Sequence, residues 1–308
     1  MAVPAFVTVA GMVVLIPMSP LLIFGWGPIP GMGIAGGAAA LLMYYLVGSI
    51  ILAAYLWSRN SLLRPSFAEL RFRWPLFRDI LRIGLIGMVS TVATNLAIGI
   101  TTALVGSFGT EAIAGYGTGS RLEYLLVPLV FGLGAPLVAM VGTCIGAGQR
   151  ERALRATWAG AALAFAMAEM IGLLAAFFPH AWLSLFDTDP AMLEAGSRYL
   201  QVVGPAYGFF GLGLVLYFAS QGAGRLWWPV AGNVLRLAVA AGGGWIMLRW
   251  GGGLTLVFLA QAVALVVYGV VNASAIAGGA WFGPIGWPRP IRKQETSNAV
   301  AAGGGYDD

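Results

Sequence analysis

Hydrophobic residues run along this chain in eight long blocks, at 5–24, 34–57, 80–105, 115–141, 156–178, 199–221, 228–248 and 254–278. Crossing the hydrocarbon of a bilayer takes ~20 mostly apolar residues in a helix. Each block meets that length, and none alternates polar and apolar residues as a membrane β-strand does. The pattern predicts an all-α, polytopic helical membrane protein with eight spans. Glycine and proline mark the junctions, at 25–28, 146–148, 179 and 251–253.

Composition narrows the class further. Of 308 residues, 59% are hydrophobic and 9% charged, with 45 glycines and one cysteine, Cys144. Soluble domains carry about 25% charged residues. A disulfide scaffold is excluded by the lone thiol. One histidine, His180, and one cysteine cannot build a soft-metal site. No phosphate-binding loop motif occurs, which argues against ATP as an energy source. No constellation of catalytic side chains appears, so the chain reads as no enzyme, with no cofactor and no metal.

The charges set an orientation. Arg59, Arg64, Arg71, Arg73 and Arg78 lie between spans two and three, and Arg150, Arg152 and Arg155 between four and five. Arg225 follows span six, and Arg289, Arg292 and Lys293 follow span eight. The alternate loops hold Glu111, Asp187, Asp189 and Glu194. Cationic loops stay cytoplasmic, so both termini are expected there. The net charge of +5 follows from this asymmetry and gives no reason to expect nucleic acid as a partner. The partner it implies is the lipid bilayer.

Spans one and two resemble spans seven and eight. Residues 4–26 and 229–250 each open with proline, end near Trp-Gly and lead into a second, small-residue-rich span. Repeated bundles are common in transporters. On this reading 80–281 is one complete six-helix lobe and 1–58 is the last third of another. Residues 59–79 are a cytoplasmic linker, and 282–308 a disordered cytoplasmic tail.

Five segments then carry a family resemblance. PLLIFGWGPIPGMGIAGGAAA (20–40), LRIGL (81–85), FGTEAIAGYGTGSRLE (108–123), PLVFGLGAPLVAMVGTCIGAGQRERA (128–153) and GAGR (222–225) resemble the multidrug and toxic compound extrusion (MATE) family. The blocks follow one another in the family's order over nearly the whole chain. The resemblance implies a two-lobed, twelve-span exporter of drugs or organic cations in exchange for H⁺ or Na⁺. It places the first residue at the fifth family span, so four spans are expected to be missing. An amino-terminal half supplied in trans would complete such a protein. Two rival readings are an inactive fragment or membrane-associating partner, and a lipid-linked oligosaccharide flippase. The flippase would need a cationic cavity, for which Arg236 and Arg121 are the available groups.

Ionisable and polar groups inside spans are the candidates for function. Span three carries Ser90, Thr91, Thr94, Asn95, Thr101 and Thr102 at helical steps, either as a cavity wall or as a face for interhelical hydrogen bonds. The resemblance sets Asn95 where the sodium-linked branch has a glutamate. Its amide can ligate a cation but cannot titrate. Glu123 in span four is a candidate for ion coupling, or for a structural pair with Arg121 at the outer rim. Glu169 in span five and Arg236 in span seven are candidates for a buried charge pair, with Asn233 one turn away. Span six lines up Tyr207, Phe210, Leu214, Tyr217 and Gln221, a face suited to cationic drugs through cation–π contact or simply to packing. Phe210 stands where the resemblance puts an aspartate, which weakens the sodium reading. Pro128, Pro136 and Pro205 lie within spans and permit kinks.

Overall fold

The computed structural model describes residues 2–25, 31–58 and 74–281. All its regular structure is helical, and eight helical segments are long and apolar enough to cross a membrane. The protein is therefore an all-α, multi-pass membrane protein. The linker expected at 59–79 falls largely outside the described residues, as do Trp26 and the tail at 282–308. Two compact units divide the chain, Met1–Trp74 and Pro75–Asp308.

The first unit is a helical hairpin of α1 (Ala2–Phe24) and α2 (Ile34–Trp57). Its tip is closed by backbone hydrogen bonds from Met32 to the Leu22 carbonyl and from Gly33 to the Ile23 carbonyl, at 2.9 and 3.0 Å. Gly36 seats its backbone on α1, where a Cβ would lie 2.1 Å from the Leu22 oxygen. Beyond that contact the helices leave an apolar groove of about 460 Å³ between Phe6, Val14, Met43 and Tyr44.

The second unit holds the remaining spans. It runs through α3 (Trp74–Gly106), α4 (Thr110–Gly146), α5 (Arg150–Phe177), the short α6 (Pro179–Leu183), α7 (Pro190–Val203) and α8 (Tyr207–Gly222). It then continues through α9 (Trp227–Ala238), α10 (Gly244–Arg249) and α11 (Leu254–Ala277). His180 lies on α6 and is exposed. Pro128 and Pro136 stay inside α4, which is continuous over its 37 residues. Pro205 does break its span: a 3₁₀ turn at Gly204–Ala206 separates α7 from α8. Span seven is interrupted too, by a π-helical turn at Val239–Gly243 just past Arg236.

Small residues set the closest approaches. Gly115 and Gly119, four apart on α4, form one small face as in membrane helix pairs generally. A Cβ at Gly115 would meet the Gly196 nitrogen and the Met192 oxygen of α7 at 2.6 Å, and one at Gly119 would meet the Tyr199 ring at 2.6 Å. Between α5 and the 3₁₀ turn the contact is reciprocal: a Cβ at Gly172 would lie 2.1 Å from the Gly204 oxygen. The core that results runs from Val105, Tyr116 and Leu126 through Tyr199, Tyr207 and Phe210 to Phe258 and Leu265.

Candidate functional site

The close approach of α7 to α4 has a chemical consequence. With no side chain at Gly119, the Tyr199 ring lies against α4 one turn before Glu123. Its hydroxyl donates to Glu123 Oε2 at 3.5 Å. The other carboxylate oxygen, Oε1, accepts from Arg236 on α9 at 2.9 Å. This ion pair lies inside the unit, with side-chain exposures of 4% for Arg236 and 14% for Glu123.

Aromatic rings enclose the pair. The Arg236 guanidinium carbon stands 5.3 Å from the Phe210 ring centre and 5.8 Å from that of Tyr268. Tyr116, Tyr199 and Phe258 pack edge-on or stacked at 5.2–6.2 Å around the carboxylate end. A cation over ring faces gains electrostatic attraction that grows when water is excluded. One donor of the guanidinium is left over: Arg236 Nε is buried and meets no acceptor among the described residues.

Glu169 and Arg236 are thus not partners in this structure. Glu169 instead accepts from the Gly208 backbone N–H at 2.8 Å. Nor does Arg121 pair with Glu123, two residues on along the same helix and so on another face of it. It is exposed and stacks over Phe186 at 5.1 Å. The flippase reading loses support here, because Arg236 is neutralised by Glu123 and Arg121 is apart from it.

The polar face of α3 divides in two. Asn233 of α9 donates to the Ser90 carbonyl, the Ser90 hydroxyl and the Thr94 hydroxyl at 2.7–3.0 Å. Thr101 is buried and donates to Gln261 of α11 at 3.5 Å. Thr91 and Asn95 point the other way. Both are exposed in this unit and bond back to their own helix, at Gly87 and Thr91 respectively.

The span-six residues divide as well. Tyr207 and Phe210 are buried, Tyr217 is half-buried near Gly87 of α3, and Gln221 is exposed. Of the residues singled out in the sequence, the structure brings Glu123, Arg236 and Phe210 together, with Tyr207 in the same core. It adds Tyr116, Tyr199, Tyr268 and Phe258. The signal that points to Tyr199 is the Gly115–Gly119 pair, which marks where a neighbouring helix approaches α4 closely.

Comparison with known proteins decides the family. The MatE family model matches residues 87–246, just over half of the chain. The chain belongs to the MatE family. Among MatE relatives, the FAD transporter of Shewanella oneidensis is 32% identical over 221 residues, which is 70% of this chain and 48% of that protein. A protein of Thermotoga maritima named as a probable multidrug resistance protein NorM is 25% identical over 205 residues, 66% of this chain and 44% of the relative. A MOP superfamily transporter from Pyrococcus furiosus superimposes with a TM-score of 0.80 at 19% identity, covering 89% of this chain and 62% of that one. A MATE transporter of Vibrio cholerae gives 0.76 at 20% identity, with 91% and 63% covered. This MatE chain spans about half the length of the curated relatives it matches. The family is one of transporters and not of enzymes.

Proposed function

We propose that this chain works as the carboxy-terminal part of a cation-coupled exporter of drugs or organic cations in the inner membrane, with both termini in the cytoplasm. The observation that carries the reading is the Glu123–Arg236 pair, a carboxylate and a guanidinium sealed among rings. An ionisable pair inside a membrane bundle is costly to keep and is a functional candidate by default. Its chemistry suits exchange. Ionised Glu123 cancels Arg236, and the site is neutral. A proton on Glu123 leaves Arg236 as an uncompensated cation, which repels a cationic cargo nearby. Proton entry and cation release are then two sides of one event, as antiport requires. Thr91, Asn95 and Tyr217 are the groups of the unit's more exposed face that could meet a cargo, with Gln221 at its end. Asn95, as an amide, serves cargo or cation binding and not proton transfer.

The reading is tested by drug export in cells that also supply the amino-terminal half, in cis or in trans. Glu123→Gln is expected to abolish the pH dependence of export. Export and pH dependence both unchanged would remove Glu123 from the mechanism. A flavin nucleotide is the second candidate cargo, favoured by the 32% identical relative named a FAD transporter. Measuring FAD and an organic cation such as ethidium in the same export assay separates the two.

A further inference from the structure

Among the described residues, Glu169 is the one carboxylate deep within an apolar block that the exporter reading leaves unused. It lies twenty residues into α5, and no cation among the described residues forms an ion pair with it. Its environment is specific. Pro205 interrupts span six, and a helix that restarts after a break exposes backbone N–H groups with no partner of their own. Inside a membrane such groups need an acceptor. Tyr207 N–H finds the Gly204 carbonyl within the 3₁₀ turn. Gly208 N–H finds Glu169 Oε2 at 2.8 Å. The fit depends on glycine, since a Cβ at 208 would lie 2.5 Å from that oxygen and 2.9 Å from the Phe165 ring. Phe165 and Phe209, 5.3 Å apart and edge-on, flank the contact.

We propose that Glu169 is a proton-binding latch on the broken span: as a carboxylate it holds the first turn of α8, and on taking a proton it lets that turn go. A carboxylate accepts a backbone N–H more strongly than a neutral acid does, and the positive end of a helix adds to the difference. With no cation to offset the charge, a proton from the aqueous phase is the counter-ion that remains. The other titratable groups on the elements packed against α5 are otherwise placed. Glu123 on α4 and Tyr199 on α7 are bonded to each other, Glu194 and Arg198 on α7 are paired, and Arg121 on α4 stacks on Phe186. Tyr116 on α4 packs on Tyr199 and Phe258, Glu111 is bonded by Thr110, and Tyr124 and His180 are exposed. Tyr207 and Tyr217 on α8 hold no bond to Glu169. Two residues beyond Gly208, Phe210 lies under Arg236. The latch therefore stands two residues along α8 from a ring of the ion-pair site and shares no hydrogen bond with that pair.

The test uses the full chain in lipid nanodiscs. Dicyclohexylcarbodiimide, an apolar reagent, modifies protonated carboxyls, and mass spectrometry locates the adduct. Labelling at Glu169 is expected to fall with rising pH, approaching tenfold per unit on the alkaline side of the titration. In parallel, hydrogen exchange over residues 204–212, corrected for its intrinsic pH dependence, should speed up as pH falls. Glu169→Gln keeps an acceptor but cannot titrate, so its exchange should lose this dependence. Gly208→Ala should give fast exchange at every pH. No label at Glu169 at any pH overturns the proposal, whether or not the variants fold. So does a Glu169→Gln protein whose exchange follows pH as the wild type does. Neither readout measures export, so this latch and the exporter reading, which stands on Glu123 and drug export, can fail separately.

Discussion

At the scale of the residue, the Glu123–Arg236 pair controls the strongest prediction. Removing one partner of a buried ion pair costs about 3–5 kcal/mol, because it strands a charge, whereas replacing both with apolar groups of like volume is often neutral. Arg236→Ala should therefore lower the thermal stability of the purified chain sharply. The double change Glu123→Gln with Arg236→Met should recover much of it. A loss in the double variant equal to the sum of the two single losses would mean that the pair carries no coupling. Asn233→Leu is a milder case. It removes three polar contacts to α3 at once, and membrane hydrogen bonds average about 0.6 kcal/mol each. A loss of about 1–2 kcal/mol in a denaturation midpoint series is expected. The depth of Glu123, Glu169 and Arg236 was readable from position within each apolar block, but their partners were not. Glu123 and Arg236 are 113 residues apart, and which of two carboxylates faces the guanidinium depends on the rotation of each helix about its axis. Hydropathy carries no information on that rotation when nearly every side of a helix is apolar.

At the scale of the element, the contacts that matter are those where backbones meet. Gly119→Leu should force Tyr199 off α4 and take its hydroxyl from Glu123. Overpacking of this kind costs about 1–3 kcal/mol. The check is tyrosine and tryptophan emission together with melting temperature: a variant that melts like the parent would show that α7 does not depend on that contact. Spans were legible because length and apolar continuity are sufficient evidence for them. Breaks were only partly so. Three prolines inside spans looked alike in sequence, yet Pro128 and Pro136 sit within an unbroken α4 and Pro205 in a 3₁₀ turn. A proline kinks or breaks a helix according to what its neighbours offer the freed carbonyl and N–H groups. Around Pro205 that offer comes from Glu169, on another span. The π turn after Arg236 had no proline to announce it, only the run from Ala240 to Gly244.

At the scale of the whole molecule, the predictions concern sidedness. Arginine-rich loops on one side and Asp187, Asp189 and Glu194 on the other lead to the orientation proposed above. Cys144, buried at 6% exposure, gives little background for labelling. A cysteine placed at Asp187 should react with an impermeant maleimide in intact cells, and one placed at Arg152 only after the membrane is opened. The reverse pattern would invert the orientation. The two-unit division of the chain is a matter of contacts within each unit, and the apolar hairpin of α1 and α2 keeps most of its large side chains exposed within its own unit.

Helix α4 has a mechanical side. At 1.5 Å per residue its 37 residues reach about 55 Å, well beyond the ~30 Å hydrocarbon layer. Glu123 stands on it about 30 Å from Cys144, near the far end. A rod of that length is a lever arm. If its fulcrum lies at the ion pair, a tilt of about 10° swings the Cys144 end, and the Arg150–Arg155 stretch joined to it, through about 5 Å. One proton gained or lost among the rings would then be read out as displacement at the opposite membrane face.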